Sequence, residues 1–336
     1  MNVHSRPRRV FLKSGSRAAA GLAASALTWP ALGQPQPALE QLSILCTGPA
    51  GSIPDIVARR VAEQLTGRHA RHALVDNRPG AAGQIAVNAL KAAPADGSVA
   101  LLAQGAIATV YPYLYARLAY DPALDIRPVS MAGEMTLGLA VGPAVPQTVT
   151  NVLELVSWMR RNPKLANVGS PGTGTLPHLL EAMLFRADGL EWQHVVYAGG
   201  PPALVDLMGG QIAALVLPEG LLRQHRASGR LRVLATSGAR RSAYLPDVPS
   251  LAEQGFRDLV MREWFAFFML GRTPPAVVES TSQALRAALA QPQLVAAFAE
   301  SGMEAVSSTP ADLATRISAE QRYWEPVIRS NNIRAE

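Results

Sequence analysis

Four short stretches hold most of the groups that could do chemistry, and all four have a similar makeup. They are Thr47-Gly48-Pro49-Ala50-Gly51-Ser52-Ile53-Pro54-Asp55, Asn77-Arg78-Pro79-Gly80-Ala81-Ala82-Gly83, SPGTGTLPH at 170–178, and Tyr197-Ala198-Gly199-Gly200-Pro201-Pro202. SPGTGTLPH contains the hydroxyls of Ser170, Thr173 and Thr175 but no carboxylate, lysine or arginine. Glycine permits positive φ and close backbone approach, and hydroxyls donate hydrogen bonds without charge. A helix that starts after such a loop presents unpaired N–H groups at its positive dipole end. Together these features suit the holding of an anion. One glycine turn before a helix indicates only a turn; four of them, two dense in Ser or Thr, indicate a binding site.

Catalytic patterns do not emerge from the same search. His4, His69, His72, His178, His194 and His225 form no HExxH and meet no CxxC, and there is no GxSxG, Walker or GxGxxG spacing. No metal site and no cofactor are expected. His178 is expected to orient the loop before it or to pack, and Asp55 to support a first helical turn. Cys46, the single cysteine, excludes an internal disulfide and is expected to be a buried apolar residue. A secreted α/β hydrolase using Ser170 or Ser52 with a histidine is the rival from another class. It requires a base on its own loop with an orienting acid, and the spacing supplies none.

The elements that must position these loops follow from periodicity. Strands are predicted at Leu42–Cys46, Ala73–Val75, Val99–Leu102, Thr136–Val141, Asn167–Gly169, His194–Val196, Ile212–Leu217, Leu231–Thr236 and Trp264–Leu270. Helices are predicted at Pro54–Thr66, Gly83–Ala93, Val152–Arg161, Pro177–Arg186 and Pro201–Met208, with helical patterns near 275–290, 291–301 and 310–330. The alternation predicts an α/β fold with parallel strands and helices on both faces. The chain leaves one lobe and later returns, so a ligand cleft is expected between two lobes. Lobe 1 is assigned to 34–136 and 262–336, and lobe 2 to 137–261.

The 336 residues carry a formal charge of +6. Five of the basic residues, Arg6, Arg8, Arg9, Lys13 and Arg17, precede residue 34, and without them 26 Lys+Arg face 25 Asp+Glu. A basic groove for nucleic acid is therefore not supported. Residues 1–33 read instead as a signal peptide: a basic start, a short apolar run at Ala18–Thr28, then Ala31-Leu32-Gly33. Arg8-Arg9-Val10-Phe11-Leu12-Lys13 matches the twin-arginine type of export signal. A periplasmic location after cleavage is expected.

The motifs GSIPDIVARRVAEQL, VDNRPGAAGQIAVNALKAAPADG, GSPGTGTLPHLLEAMLF, HVVYAGGPPALVDLMGGQI and WFAFFMLGRTPPAVV occur in one order. In them the chain resembles the Bug-type (TctC-like) periplasmic receptors of tripartite tricarboxylate transporters, from about Ile44 to Ile333. The resemblance implies a two-lobe periplasmic-binding-protein fold (type II-like) that closes on its ligand like a flytrap. It implies a small carboxylate ligand (a di- or tricarboxylate, aromatic acid or amino acid), membrane transporter subunits as partners and, by default, a monomer. A receptor that presents its ligand to a signalling system is the alternative within the same fold. The contacts implied are Gly51, Ser52, Ile53, Asp55, Gly83 and Gln104 in lobe 1 and Ser170, Thr173, Gly174, Thr175, Tyr197 and Gly199 in lobe 2, with Trp264 and Phe265 beside the cleft. The chain departs from the family pattern at Ala50-Gly51, where paired glycines are usual, and at Pro54, which adds a residue to that loop. It departs again at Ala198, where a lysine is common, and at Ala213 and Leu217, where aspartates are usual. Glu263 is expected to be a solvated strand-end charge, the alternative being a partner for a cationic group such as an amine.

Overall fold

The computed structural model describes residues 39–187, 189–330 and 333–335. The expected signal peptide lies outside the described residues. The described residues form one compact unit.

Elements follow in the order β1 (Leu39–Cys46), α1 (Ile53–Leu65), β2 (Ala70–Asn77), α2 (Gln84–Lys91), β3 (Val99–Gln104), α3 (Ala106–Thr109), α4 (Tyr111–Leu114) and β4 (Ile126–Val141). The middle of the chain gives α5 (Val152–Arg161), β5 (Asn167–Ser170), α6 (Leu176–Ala187), β6 (Gln193–Val196), α7 (Gly200–Gly209), β7 (Ala214–Pro218), α8 (Glu219–His225) and β8 (Arg232–Thr236). The chain then returns through β9 (Arg262–Leu270), α9 (Pro275–Leu289), α10 (Pro292–Glu300), β10 (Glu304–Ala305) and α11 (Pro310–Ser330).

The strands run β2-β1-β3-β9-β4-β7-β5-β6, with β8 and β10 also on β4. The expectation of parallel strands holds only in part. Strand β1 is parallel to β2 and β3, and β5 is parallel to β6 and β7. Strands β4 and β9, by contrast, are antiparallel to every strand they pair with. The reason is topological: neither β4 nor β9 is joined by a single helical crossover, the link a parallel neighbour requires, to any strand it pairs with. Strand β4 is also ten residues longer than the predicted Thr136–Val141. Its first part lacks alternation because Val129–Gly133 is buried on both faces.

Strand β4 joins the two halves of the sheet. From Ile126 to Thr136 it pairs with β9, and from Leu137 to Val141 with β7 and β8. Two cores run across both halves: one buries the apolar stripe of α1 (Ile53, Val57, Val61, Leu65) together with Leu204 of α7 and Leu222 of α8, the other buries Leu155, Met159, Leu179 and Phe185 of α5 and α6 together with Leu90 of α2 and Leu313 of α11. Helix α11 returns across the first half, where the Trp264 Nε1–H donates to Glu320 at 2.9 Å and the Arg316 guanidinium lies 5.0 Å from the indole centroid.

Candidate functional site

All four glycine loops converge on one cavity of about 550 Å³. Each is fixed from behind. In the first loop, Asp55 accepts from the Gly51 N–H (2.9 Å), from Arg59 (3.1 Å) and from Asn77 (2.9 Å), while the same Asn77 amide donates to the Gly48 carbonyl at 2.9 Å. Burial pushes the Asp55 pKa up, but the hydrogen bonds from Arg59, Gly51 and Asn77 prevail and hold it below the usual carboxylate range. Asp55 is thus the brace of this loop and does not line the cavity. Gly51, at φ +78°, makes the turn and also lies off the cavity wall.

The second loop is strained. Ala81 and Ala82 both take left-handed conformations, at φ 46° and 51°, between Gly80 at 115° and Gly83 at 95°. Such backbone costs an alanine roughly 1–2 kcal/mol per residue. It is held because the Ala82 carbonyl accepts from Gln104 Nε2 (2.6 Å) and from the Tyr111 hydroxyl (2.8 Å), and Gln104 Oε1 accepts from Thr47 at 2.9 Å. Gln104 lines the cavity and holds this loop in shape.

The SPGTGTLPH loop divides its residues between two faces. Gly172, Thr173, Thr175 and Pro177 line the cavity. Ser170 is fully buried behind it, its hydroxyl 2.7 Å from His194 Nε2. Gly174, at φ +83°, packs against Leu114, Tyr111 and Tyr115 and donates its N–H to His178 Nδ1 at 3.1 Å. His178 thus orients the loop, one of the two roles expected for it. The two imidazoles stack with centroids 4.0 Å apart. Burial pushes both down, His178 to about 3, helped by the neighbouring His194, and His194 to about 4, so both are neutral near pH 7. Ser170 and His194 do meet, but the nearest acid, Glu181, approaches the same Nε2 at 3.9 Å, and neither Glu181 oxygen has a hydrogen-bond partner. The other ring nitrogen therefore gains no orienting acid from Glu181, which a nucleophile–base–acid relay requires.

The fourth loop brings Tyr197, Ala198, Gly199 and Gly200 to the wall. The Tyr197 hydroxyl donates to Asp206 at 2.8 Å, so the ring, not the phenol, faces a ligand.

On β9 the strand period decides orientation. Glu263 and Phe265 line the cavity, whereas Trp264, between them, faces α11. The expectation of a solvated Glu263 is overturned: it is 4% exposed, and its Oε1 has no hydrogen-bond partner. Burial, reinforced by the charge of Glu320, pushes it up to about 8. Of the thirteen site residues expected from the sequence, Ser52, Ile53, Gly83, Gln104, Thr173, Thr175, Tyr197 and Gly199 line the cavity; Gly51, Asp55, Ser170, Gly174 and Trp264 do not. Sequence reading missed Tyr115, which lines the cavity and donates from its hydroxyl to the Thr173 carbonyl at 2.8 Å. It sits after α4, a four-residue helix too short for periodicity to reveal.

Among the described residues the wall contains no lysine, arginine or histidine, and Glu263 is its only carboxylate. Much of it is apolar: Pro49, Pro54, Pro171, Val196, Leu221 and Phe265 all contribute. No group of three or more His, Cys, Asp or Glu able to hold a metal occurs among the described residues, and no described helix is long and apolar enough to cross a membrane. Cys46 is buried as expected, and burial pushes its thiol up to about 12.

A sequence model of the tripartite tricarboxylate transporter family receptor (TctC) matches residues 57–333. The protein BugT of Bordetella pertussis is 31% identical over 315 residues, covering 93% of this chain and 94% of its own length. The structure of Rpa4515 from R. palustris with adipate is similar with a TM-score of 0.81 and 28% identity, covering 87% of this chain and 97% of that one. The periplasmic binding protein BugD superposes with a TM-score of 0.81 at 24% identity, covering 88% and 99% respectively, and shows the same fold. The chain belongs to the TctC family of tripartite tricarboxylate transporter receptors, and its fold is that of the two-lobe periplasmic binding proteins.

Proposed function

We propose that this protein captures a small carboxylate-bearing solute in its cleft and delivers it to the membrane subunits of a tripartite tricarboxylate-type transporter, without chemistry of its own. The observation that carries this reading is the cavity itself. Four loops that each lead into a helix N-terminus surround about 550 Å³ with hydroxyls, an amide and backbone, and with no basic side chain among the described residues. Helix starts and neutral donors hold an anion through several modest bonds. No single buried ion pair, with its desolvation cost, is then needed, and the cargo can leave again. Binding of adipate by a relative of the same fold supports the ligand class.

The contacts proposed are Ser52, Ile53, Gly83, Gln104, Thr173, Thr175, Tyr197 and Gly199, with Tyr115 and Phe265 added. Apolar wall residues imply a ligand with a hydrocarbon body as well as a carboxylate. A thermal-shift screen of mono-, di- and tricarboxylates and amino acids tests the reading. A ligand that binds only the folded state raises the melting temperature by mass action; no shift with any carboxylate would refute it.

The periplasm is the proposed location, reached through a twin-arginine signal at residues 1–33. Changing Arg8 and Arg9 to lysine should abolish export of the mature form. Undiminished export in cell fractionation would indicate the general secretory route.

A further inference from the structure

We infer that Glu263 is the specificity-determining residue of the cleft, and that the solute it selects carries an ammonium group in addition to its carboxylate. This rests on the carboxylate-receptor reading above and narrows it.

The argument begins with what the wall lacks. A second carboxylate on the ligand would enter a cavity with no lysine, arginine or histidine on its described wall and one acid already present. Two ionised carboxylates so close would disfavour each other, so a dicarboxylate could be held only against a protonated Glu263, whereas an ammonium pairs with its ionised form. The opposite charge meets a prepared partner. Glu263 is 4% exposed, lines the cavity beside Phe265, and keeps Oε1 without a hydrogen bond. A buried polar atom left unpaired is costly unless something pairs with it during function. Among the described residues no cation is paired with Glu263. Its neighbours across the packing are Glu320 of α11, whose charge acts on it, and the phenol of Tyr111. Glu320 is itself taken by Arg316 at 2.9 Å and by the Trp264 indole. Arg262, next in sequence, pairs with Glu134 and Glu304, at 3.2 and 3.0 Å. The bases named here are thus committed elsewhere, and Glu263 is the one carboxylate on the described cavity wall.

Protons balance simply. In the empty protein near pH 7 the Glu263 carboxyl carries its proton, because burial raises it to about 8. When a ligand ammonium docks, the nitrogen keeps its three hydrogens, Glu263 ionises, and the carboxyl proton leaves to solvent. Binding at pH 7 therefore releases up to one proton, and affinity rises with pH until about 8 and then levels.

Matched ligands test this on the full mature protein. At each of four, five and six carbons, an ω-amino acid, the corresponding dicarboxylate and the corresponding monocarboxylate are compared by calorimetry in two buffers of different ionisation heat, for wild type and Glu263→Gln. The expected result is tighter binding of an amino acid than of its dicarboxylate, by about tenfold or more, with proton release at pH 7. Glu263→Gln should lose that preference and the release, while its affinity for the monocarboxylate stays within about threefold. Dicarboxylates bound as well as amino acids, with no proton release, would overturn the role of Glu263 and leave the carboxylate reading standing. Proton uptake with a dicarboxylate would overturn it too, since Glu263 would then act as a neutral donor to an anion. Failure of every member of the panel to bind would overturn both readings.

Discussion

The hydroxyls of SPGTGTLPH look alike in the sequence and differ in three dimensions. Thr173 and Thr175 are on the cavity wall, whereas Ser170 is turned into the core toward His194. Their substitutions should therefore separate. Thr173→Ala should weaken ligand binding by about tenfold, since a hydrogen bond to a charged group is worth roughly 1.5–3 kcal/mol and 1.4 kcal/mol is tenfold. Its folding should be unaffected. Ser170→Ala should leave affinity nearly unchanged and cost about 1 kcal/mol of stability, the usual net worth of a buried hydrogen bond. Calorimetry and denaturant melts on both variants check the split; a large affinity loss in Ser170→Ala would put that hydroxyl in the site after all. Glu263 gives a second prediction at this scale. Its folded-state pKa, about 8, lies above the ordinary carboxylate value, so the native state binds more protons than the unfolded chain between about pH 5 and 8. Stability is then full below that window and falls as pH rises through it, by up to ~1.4 kcal/mol per pH unit. Glu263→Gln removes this loss, so it should melt higher than wild type at pH 8.5 and by a much smaller margin at pH 5. Equal margins at both pH values would show that the carboxyl does not titrate there. The two histidines have the opposite sign. Their folded values lie below the unfolded 6.5, so stability falls as pH drops from about 6.5 toward 4.

Elements are held by close approaches that only glycine permits. Gly220, in α8, faces the turn after α10 so closely that an added Cβ would meet the Ser301 carbonyl oxygen at 1.6 Å. Backbone cannot yield like a side-chain tip, so Gly220→Ala should cost more than 2 kcal/mol, in the range of overpacked cores. Chemical denaturation measures it; a variant as stable as wild type would mean that α8 and the 301–303 turn move apart freely. Much of this level was legible in the sequence. Helix α5 is predicted with its observed bounds, Trp158 lying on its apolar side, and the structure adds the cap: Asn151 accepts from the Glu154 N–H. The three C-terminal helices were equally plain. What periodicity could not show were α3, α4 and α8, four to seven residues each, and the first part of β4, buried on both faces. The same limit hid Tyr115. The orientation of β9 was open for a different reason. WFAFF is apolar at every position, so alternation does not say which side faces the cleft; only Glu263, taken for a solvated end charge, marked that side.

At the scale of the whole molecule, the two halves of the sheet share β4, and their loops meet over the cavity. Tyr115, of the half built on β1–β3, hydrogen-bonds the Thr173 carbonyl of the other half at 2.8 Å. A Cβ on Gly199 would meet Pro49 at 2.7 Å, and one on Gly172 would meet Ala82 at 3.2 Å. These contacts join loops of opposite halves, so a cleft that opened would have to break them. If the protein opens, a ligand between the loops that prefers the closed state would draw the equilibrium toward closure. Changing the protein's own share of these contacts should then alter affinity without touching the ligand. Tyr115→Phe removes one cross-cleft hydrogen bond, worth about 0.5–1.5 kcal/mol, and should weaken binding by about twofold to tenfold. Gly199→Ala should do more, because it props the loop off Pro49 and also forces an alanine to φ +110°. Small-angle scattering with and without saturating ligand measures the equilibrium directly. Wild type should compact on binding, and Gly199→Ala should stay expanded without ligand and need a higher ligand concentration to close. The same radius in every state would mean a preformed pocket, with the Tyr115 and Gly199 contacts serving only to pack the loops together.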